Sequence, residues 1–202
     1  MRIFLAGASG VLGSRLVPLL IAAGHDVAGM TRSPDKARLL AAAGAEPVVC
    51  DVFDAAALTA AVTDYAPELV MHQLTDLPDD AARLPEGRAA NARIRQEGTA
   101  NLLAAAEAAG ASRIIAQSVA WEMTGEGQAA KEFLEKSVLE AGGVVLRYGQ
   151  FYGPGTYYPD APPEPPRIHL EEAAARTARA LDLVSGLYEL TDAEGPDFLP
   201  VG

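Results

Sequence analysis

The chain has one cysteine, Cys50, in 202 residues. A single cysteine builds neither a disulfide framework nor a multi-cysteine metal site. Its place after Pro47, Val48 and Val49 marks it as a small buried residue. Histidine is also scarce. His25, His72 and His169 stand far apart, and none pairs with a carboxylate or cysteine at a metal-ligand spacing, so no metal is expected. His72, inside an apolar run, reads as a hydrogen-bonded core residue. Basic runs are missing as well. With 16 Lys and Arg against 27 Asp and Glu, the net charge of −11 argues against nucleic acid and anionic membrane as partners. No apolar stretch reaches membrane-spanning length. The N-terminus does not show the charged, apolar and small-residue regions of a secretory signal in that order. A cytoplasmic protein is expected. There is no internal repeat, and the one low-complexity stretch is the proline-rich segment 157–166, which favours an extended loop. Hydrophobic residues make up 50% of the chain, ample for a core and against disorder, and the length makes one domain the default.

The most informative stretch comes first. Ile3 to Ala6 is apolar and reads as a buried strand; Gly7-Ala8-Ser9-Gly10-Val11-Leu12-Gly13 follows at once, then an apolar helical run over 11–23 that stops at Gly24. A strand, a glycine-rich turn and a helix start form the dinucleotide-binding fingerprint in its required context. Gly7 permits the tight turn, Gly10 lets a pyrophosphate approach the backbone, and Gly13 lets the helix pack against the strand. The free amides and the positive end of the helix dipole then face the phosphates. An ordinary strand-to-helix turn with small packing residues is the plainer alternative.

Short apolar runs then alternate with amphipathic helices, the pattern of a parallel sheet covered on both faces. Strands are expected over 26–31, 46–51, 68–74, 113–119, 144–148 and 186–191. Helices are expected from Ser33 and Pro34 to Gly44, over 55–65 behind Asp54, and as one long helix over 86–109 after a loop at 75–85. Further helices are expected over 128–141 and 168–183, with the last ten residues as a loose tail. Pro18 should kink the first helix or displace its start. This is an α/β fold: a Rossmann-type, doubly wound parallel sheet of about seven strands. Residues 1–156 form the dinucleotide-binding domain, and 157–202 form a short C-terminal part packed on it.

The second strand ends at Thr31-Arg32-Ser33, where an acidic residue would bind ribose hydroxyls and disfavour a 2′-phosphate. None is present. Arg32 instead offers a fork for phosphate, with Ser9, Lys36 and Arg38 to assist. NADP(H) is therefore favoured, with NAD(H) as the alternative; a solvated surface charge is the other reading of Arg32. At the end of the third strand Asp51 would accept from the adenine amino group and Val52 would pack on the ring, unless Asp51 is only a turn residue.

Several segments in order complete a resemblance. They are the opening glycine turn, Asp51-Val52, Val70-Met71-His72-Gln73-Leu74, Asn91 through Gly98-Thr99-Ala100-Asn101, Ser118-Val119-Ala120-Trp121, and Leu146-Arg147-Tyr148-Gly149 through Gly153-Pro154-Gly155. The helix start at Ile168-His169-Leu170 and the strand at 186–191 follow the same order. The chain resembles the extended or atypical short-chain dehydrogenases/reductases of the NAD(P)-dependent epimerase/dehydratase type. The resemblance implies that Leu12 lies near the nicotinamide end, that Gln73 and Leu74 line the nicotinamide ribose, and that Tyr148, Gly149 and Phe151 pass the carboxamide. It implies Ser118 as the hydroxyl binding the reacting oxygen and Lys131 as the lysine of the family's Tyr-x-x-x-Lys pair. It also suggests a homodimer through the helices over 86–109 and 128–141.

Two departures stand out. Four residues before Lys131 is Gly127, which cannot relay a proton as the family's tyrosine does. Tyr148, Tyr152 and Tyr157 are the candidate substitutes. The C-terminal part is also short for the family, so the substrate pocket should be small, open or completed by a second subunit, with Trp121, Met123, Tyr152, Tyr157 and Tyr158 as its apolar wall. At the level of single residues, Ser118 also reads as a strand-end turn residue and Lys131 as an exposed helix lysine. Two functions fit. One is an NADP(H)-dependent oxidoreductase or epimerase on a small carbonyl or alcohol, sugar-like substrates included. The other is a cofactor-binding protein without standard redox activity.

Overall fold

The computed structural model describes residues 1–192 and 195–201. Eight strands form one sheet: β1 (Arg2–Ala6), β2 (Asp26–Thr31), β3 (Glu46–Val49), β4 (Leu69–His72), β5 (Arg113–Val119), β6 (Val144–Tyr148), β9 (Gly186–Leu190) and β10 (Leu199–Pro200). Their order is β10-β9-β6-β5-β4-β1-β2-β3, parallel throughout except for the antiparallel pair β9 and β10. The chain steps outward from β1 to β3, then crosses to β4 on the other side of β1. The carboxyl ends of β1 and β4 thus form the switch point where doubly wound sheets bind ligands.

Burial on both faces explains the apolar strands. One face of the sheet carries Ile3, Leu5, Met71, Leu146 and Tyr148 against α1 (Gly13–Ala22) and α7 (Leu170–Arg179). The other carries Phe4, Val70, Ile114 and Val145 against α3 (Ala55–Tyr65), α5 (Thr99–Ala108) and α6 (Glu126–Glu140). Helix α2 (Pro34–Ala42) is capped by the Ser33 hydroxyl, which accepts from the Lys36 amide, with Pro34 at its first position. Helix α1 starts at Gly13 and keeps Pro18 inside it, so the Ser14 carbonyl lacks the amide that would bond it from position 18. Cys50 is buried as expected, and burial pushes its thiol pKa up.

The structure corrects three expectations. The long helix over 86–109 is three pieces, α4 (Arg88–Arg93), a π-helical turn at Ile94–Gly98 and α5, and a 3-10 turn at Ala81–Gly87 precedes them in the expected loop. Pro85 lies in the 3-10 turn, and at Gly87 a Cβ would meet Pro78 at 2.6 Å, so the chain is tightly folded there. The helix expected over 168–183 begins at Leu170. Ile168 belongs instead to β8 (Arg167–His169), which pairs in parallel with β7 (Gln150–Tyr152) and pins both ends of the proline segment. The tail is not wholly loose, because β10 pairs with β9 and adds the eighth strand. Of that tail, residues 193, 194 and 202 lie outside the described residues. No helix among the described residues is long and apolar enough to cross a membrane.

Candidate functional site

A cleft of about 360 Å³ opens at the switch point, lined by Gly7, Ser9 and Gly10 on one side and by Gln73, Leu74 and Thr75 on the other. The local sequence builds it. Gly7 has φ +92°, and a Cβ there would stand 2.5 Å from the Gln73 carbonyl oxygen, so only glycine lets the turn pass the end of β4. The Gly10 amide donates to the Gly7 carbonyl at 3.0 Å and closes the turn. At Gly13 a Cβ would lie 2.2 Å from the same carbonyl, which is how the first turn of α1 comes to rest against the loop. The positive end of the α1 dipole then lies toward the cleft, while the Ser14 amide is taken by the Gly10 carbonyl and the Arg15 and Leu16 amides by that of Leu12.

The far wall is polar and basic. Thr31, Arg32, Ser33 and Lys36 line it, and the Ser9 hydroxyl donates to the Thr31 hydroxyl at 2.9 Å. Arg32 forms an ion pair with Asp76 at 3.0 Å across the mouth of the cleft. Val52 lines the cleft and is buried. Asp51 is not among the lining residues, and its Oδ1 accepts from the Phe53 amide at 3.0 Å. Gln73 is 5% exposed; its amide makes no well-formed hydrogen bond among the described residues, and the Tyr148 hydroxyl lies within reach of it. A cradle whose Gly7 and Gly13 leave no room for a Cβ, a helix N-terminus and an amide without a well-formed partner suit a dinucleotide.

Beyond β4 and β5 lies a buried polar layer. His72 packs its Nε2 3.0 Å from the Thr99 hydroxyl, and its Nδ1 accepts from the Leu74 amide at 3.4 Å. Burial, with the Arg95 charge adding to it, pushes the His72 pKa down to about 4, so the ring is neutral. Ser118 donates to Glu135 Oε1 at 2.6 Å and is 1% exposed. Arg147 clamps the same carboxylate through Nε at 2.8 Å and Nη2 at 2.6 Å. Burial pushes the Glu135 carboxyl up, but the bonds from Arg147 and Ser118 and the Arg147 and Lys131 charges outweigh it, so its pKa falls below the ordinary value. Lys131 is buried, with Nζ donating to the Trp121 carbonyl at 3.0 Å.

A family model described as NAD(P)H-binding matches residues 7–141. The chain belongs to the NAD(P)H-binding family. One relative is a Streptomyces protein named a 3-diazoavenalumate denitrifying reductase, 39% identical over 183 residues. The match takes in 78% of this chain and 59% of that relative, so the chain spans about three fifths of the reductase's length. A Schizosaccharomyces pombe protein of uncharacterized function is 49% identical over 49 residues, which is 17% of its length. Among solved structures, the Thermus thermophilus UDP-glucose 4-epimerase in complex with NAD superposes with TM-score 0.78 at 20% identity, over 97% of this chain and 79% of the epimerase. A putative NAD-dependent epimerase/dehydratase from Bacillus halodurans gives TM-score 0.76 at 18% identity, over 97% of this chain and 96% of that one. These likenesses share the α/β fold described above.

In this NAD(P)H-binding protein the structure gathers Gly7, Ser9, Gly10, Arg32, Val52, Gln73 and Leu74 around one cleft. Val11 is exposed at the turn, whereas the Leu12 side chain is buried in the core beneath α1. Tyr148 also points into that core, its hydroxyl 2.6 Å from Thr177 and within reach of the amide of the cleft-lining Gln73. Burial pushes its phenol pKa up. Tyr152 donates to Asp192 Oδ2 at 2.8 Å and Tyr157 donates to the Pro78 carbonyl. The tyrosines expected to replace the relay are thus all engaged elsewhere. Ser118, expected to bind the reacting oxygen, is buried and donates its hydroxyl to Glu135. Lys131 is not the exposed helix lysine of the alternative reading. Sequence reasoning missed Asp76, Arg95 and Arg147. The one local signal for Arg95 is its place in the Ile94, Arg95, Gly98, Thr99, Leu102 stripe at helical spacing, where a cation reads as misplaced.

Proposed function

We propose that the chain is an NADPH-dependent reductase that hands hydride to a small organic acceptor needing no tyrosine proton relay. The observation carrying this is Gly127 beside an intact phosphate cradle: four residues before the buried Lys131, the position of the relay has no side chain. A hydride added to a carbonyl leaves an alkoxide that needs a proton at once. An acceptor that becomes neutral on taking the hydride does not. The name of the Streptomyces reductase supports an acceptor of the diazo class. The bound reduced nicotinamide would supply the hydride, which on an arenediazonium carbon replaces dinitrogen: a C–N bond breaks, a C–H bond forms and N2 leaves neutral.

The chain's own residues would do the holding. Gly7, Gly10 and the N-terminus of α1 would bind the pyrophosphate. Arg32, Ser9, Ser33 and Lys36 favour NADPH through its 2′-phosphate. The Gln73 amide and Leu74 would meet the nicotinamide ribose, and Lys131 would reach the same end with the N–H donors that Trp121 leaves free. Val52 would pack on the adenine.

The test follows NADPH oxidation with an arenediazonium salt, a simple ketone and UDP-glucose, each against the rate with free NADPH alone. The expected result is arene formation above that background, with neither the ketone nor the sugar nucleotide turned over, and its loss in Gly7→Val. Preferred turnover of the ketone or sugar nucleotide overturns the reading. NADPH that binds and is never oxidised selects the cofactor-binding, non-redox alternative.

A further inference from the structure

Arg95 stands on the π-helical turn between Ile94, which lines the cleft, and the polar layer beneath α6. Such turns insert one residue and often mark functional positions. Arg95 is 7% exposed. Its Nη1 donates to the Met123 sulfur at 2.8 Å, and among the described residues the guanidinium makes no other hydrogen bond and no ion pair. A thioether is a weak, neutral acceptor. A guanidinium taken out of water and left on such a partner is costly unless an anion completes it.

The surroundings do not supply that anion. Glu135 is within electrostatic reach, but Arg147 and Ser118 already hold its oxygens. His72 on the other side is neutral, with both ring nitrogens engaged. Lys131 adds a further buried cation near the same carboxylate. Arg95, Lys131 and Arg147 thus gather around Glu135, and the further carboxylates in reach, Glu122 and Glu189, act on Arg147. Arg95, held by a thioether alone, sits by the carboxyl end of β4 and β5, beside the switch point of the sheet.

We propose that Arg95, backed by Lys131, is the anion-recognition site for the hydride acceptor, and that it takes a carboxylate in the two-pronged geometry a guanidinium offers. Small aromatic carboxylates are the class that suits it. The assignment rests on the reductase reading only in saying whose carboxylate is bound.

The test is a binding titration on protein saturated with NADP+, without turnover. It compares benzoate with benzamide and cinnamate with cinnamamide, pairs that differ in charge and little in shape. The carboxylate of each pair should bind about tenfold tighter. Arg95→Met should abolish that preference, leave NADP+ affinity unchanged, and keep or raise the melting temperature, because it removes an unpaired buried charge. Arg95→Lys should retain part of the preference. Equal affinity for acid and amide overturns the proposal, and so does an Arg95→Met protein that keeps the preference or that loses stability as a structural cation would. A carboxylate preference in a protein that reduces no acceptor supports the site and defeats the reductase reading alone.

Discussion

Met123 occupies the space above Gly127: its Cε lies 3.1 Å from where a Cβ would stand at 127, and its sulfur 3.8 Å. The missing side chain is thus replaced by a neighbour rather than by a void. Gly127→Tyr alone must displace Met123 and should cost about 1–3 kcal/mol in denaturant unfolding. Met123→Ala should cost about 1 kcal/mol, since the side chain is only half-buried. Together the two substitutions should cost less than their sum, as expected of residues that share one space. The double variant, with a tyrosine four residues before Lys131, should gain ketone reduction that neither single change provides. Additive costs would show that Met123 does not fill that space.

Arg32 and Asp76 pair at 3.0 Å at the mouth of the cleft, with side chains 53% and 31% exposed. So exposed a pair adds little to stability. Its consequence is competition: a 2′-phosphate must draw Arg32 from a carboxylate. Asp76→Asn should therefore tighten NADPH binding severalfold and leave NADH affinity and the melting temperature nearly unchanged. Arg32→Glu should erase the NADPH preference in a fluorescence titration. A preference untouched by Arg32→Glu removes the role assigned to this residue.

Ser118, Glu135 and Arg147 act as one structural unit. Ser118→Ala deletes a hydrogen bond to a buried carboxylate and should cost about 1–3 kcal/mol. Glu135→Ala strands Arg147 and should cost about 3–5 kcal/mol. NADPH oxidation per folded molecule should survive Ser118→Ala within about twofold, less than the loss expected of a general acid or base. A loss of a hundredfold or more would place Ser118 in the reaction.

The cradle was legible because its constraints are local. Gly7, Gly10 and Gly13 answer to a turn, a close approach and a helix start within a few residues of β1, and the alternation of strands and helices follows from burial on two sheet faces. The polar corner was not legible, because its pairings are tertiary. Arg95 shares the buried stripe of its helix, but its partner Met123 stands 28 positions away, in a loop that no spacing links to it. Met123 fills the place beside Gly127 from a loop with no periodicity. Strand β10 exists by pairing Leu199 with Glu189, not by any pattern of its own. Asp76 meets Arg32 across 44 positions, which no sequence window spans.

His72 gives the fold a pH dependence of predictable sign. Its ring is fully enclosed and titrates near pH 4 in the folded protein, against about 6.5 in an unfolded chain. The unfolded state therefore takes up a proton that the folded state refuses, and stability falls as pH drops from about 6.5 toward 4, levelling below that. The lost contribution is on the order of 3 kcal/mol. Glu135, whose pKa is also depressed, adds to the loss only at the acid end, as its carboxylate protonates. Urea unfolding across this range should show the decline. His72→Gln keeps an acceptor and a donor for Leu74 and Thr99 without a titrating ring, so it should flatten the slope between pH 6.5 and 5, where the Glu135 carboxylate is still ionised. A slope unchanged in that variant would assign the dependence to other groups and leave His72 with packing and hydrogen bonding alone.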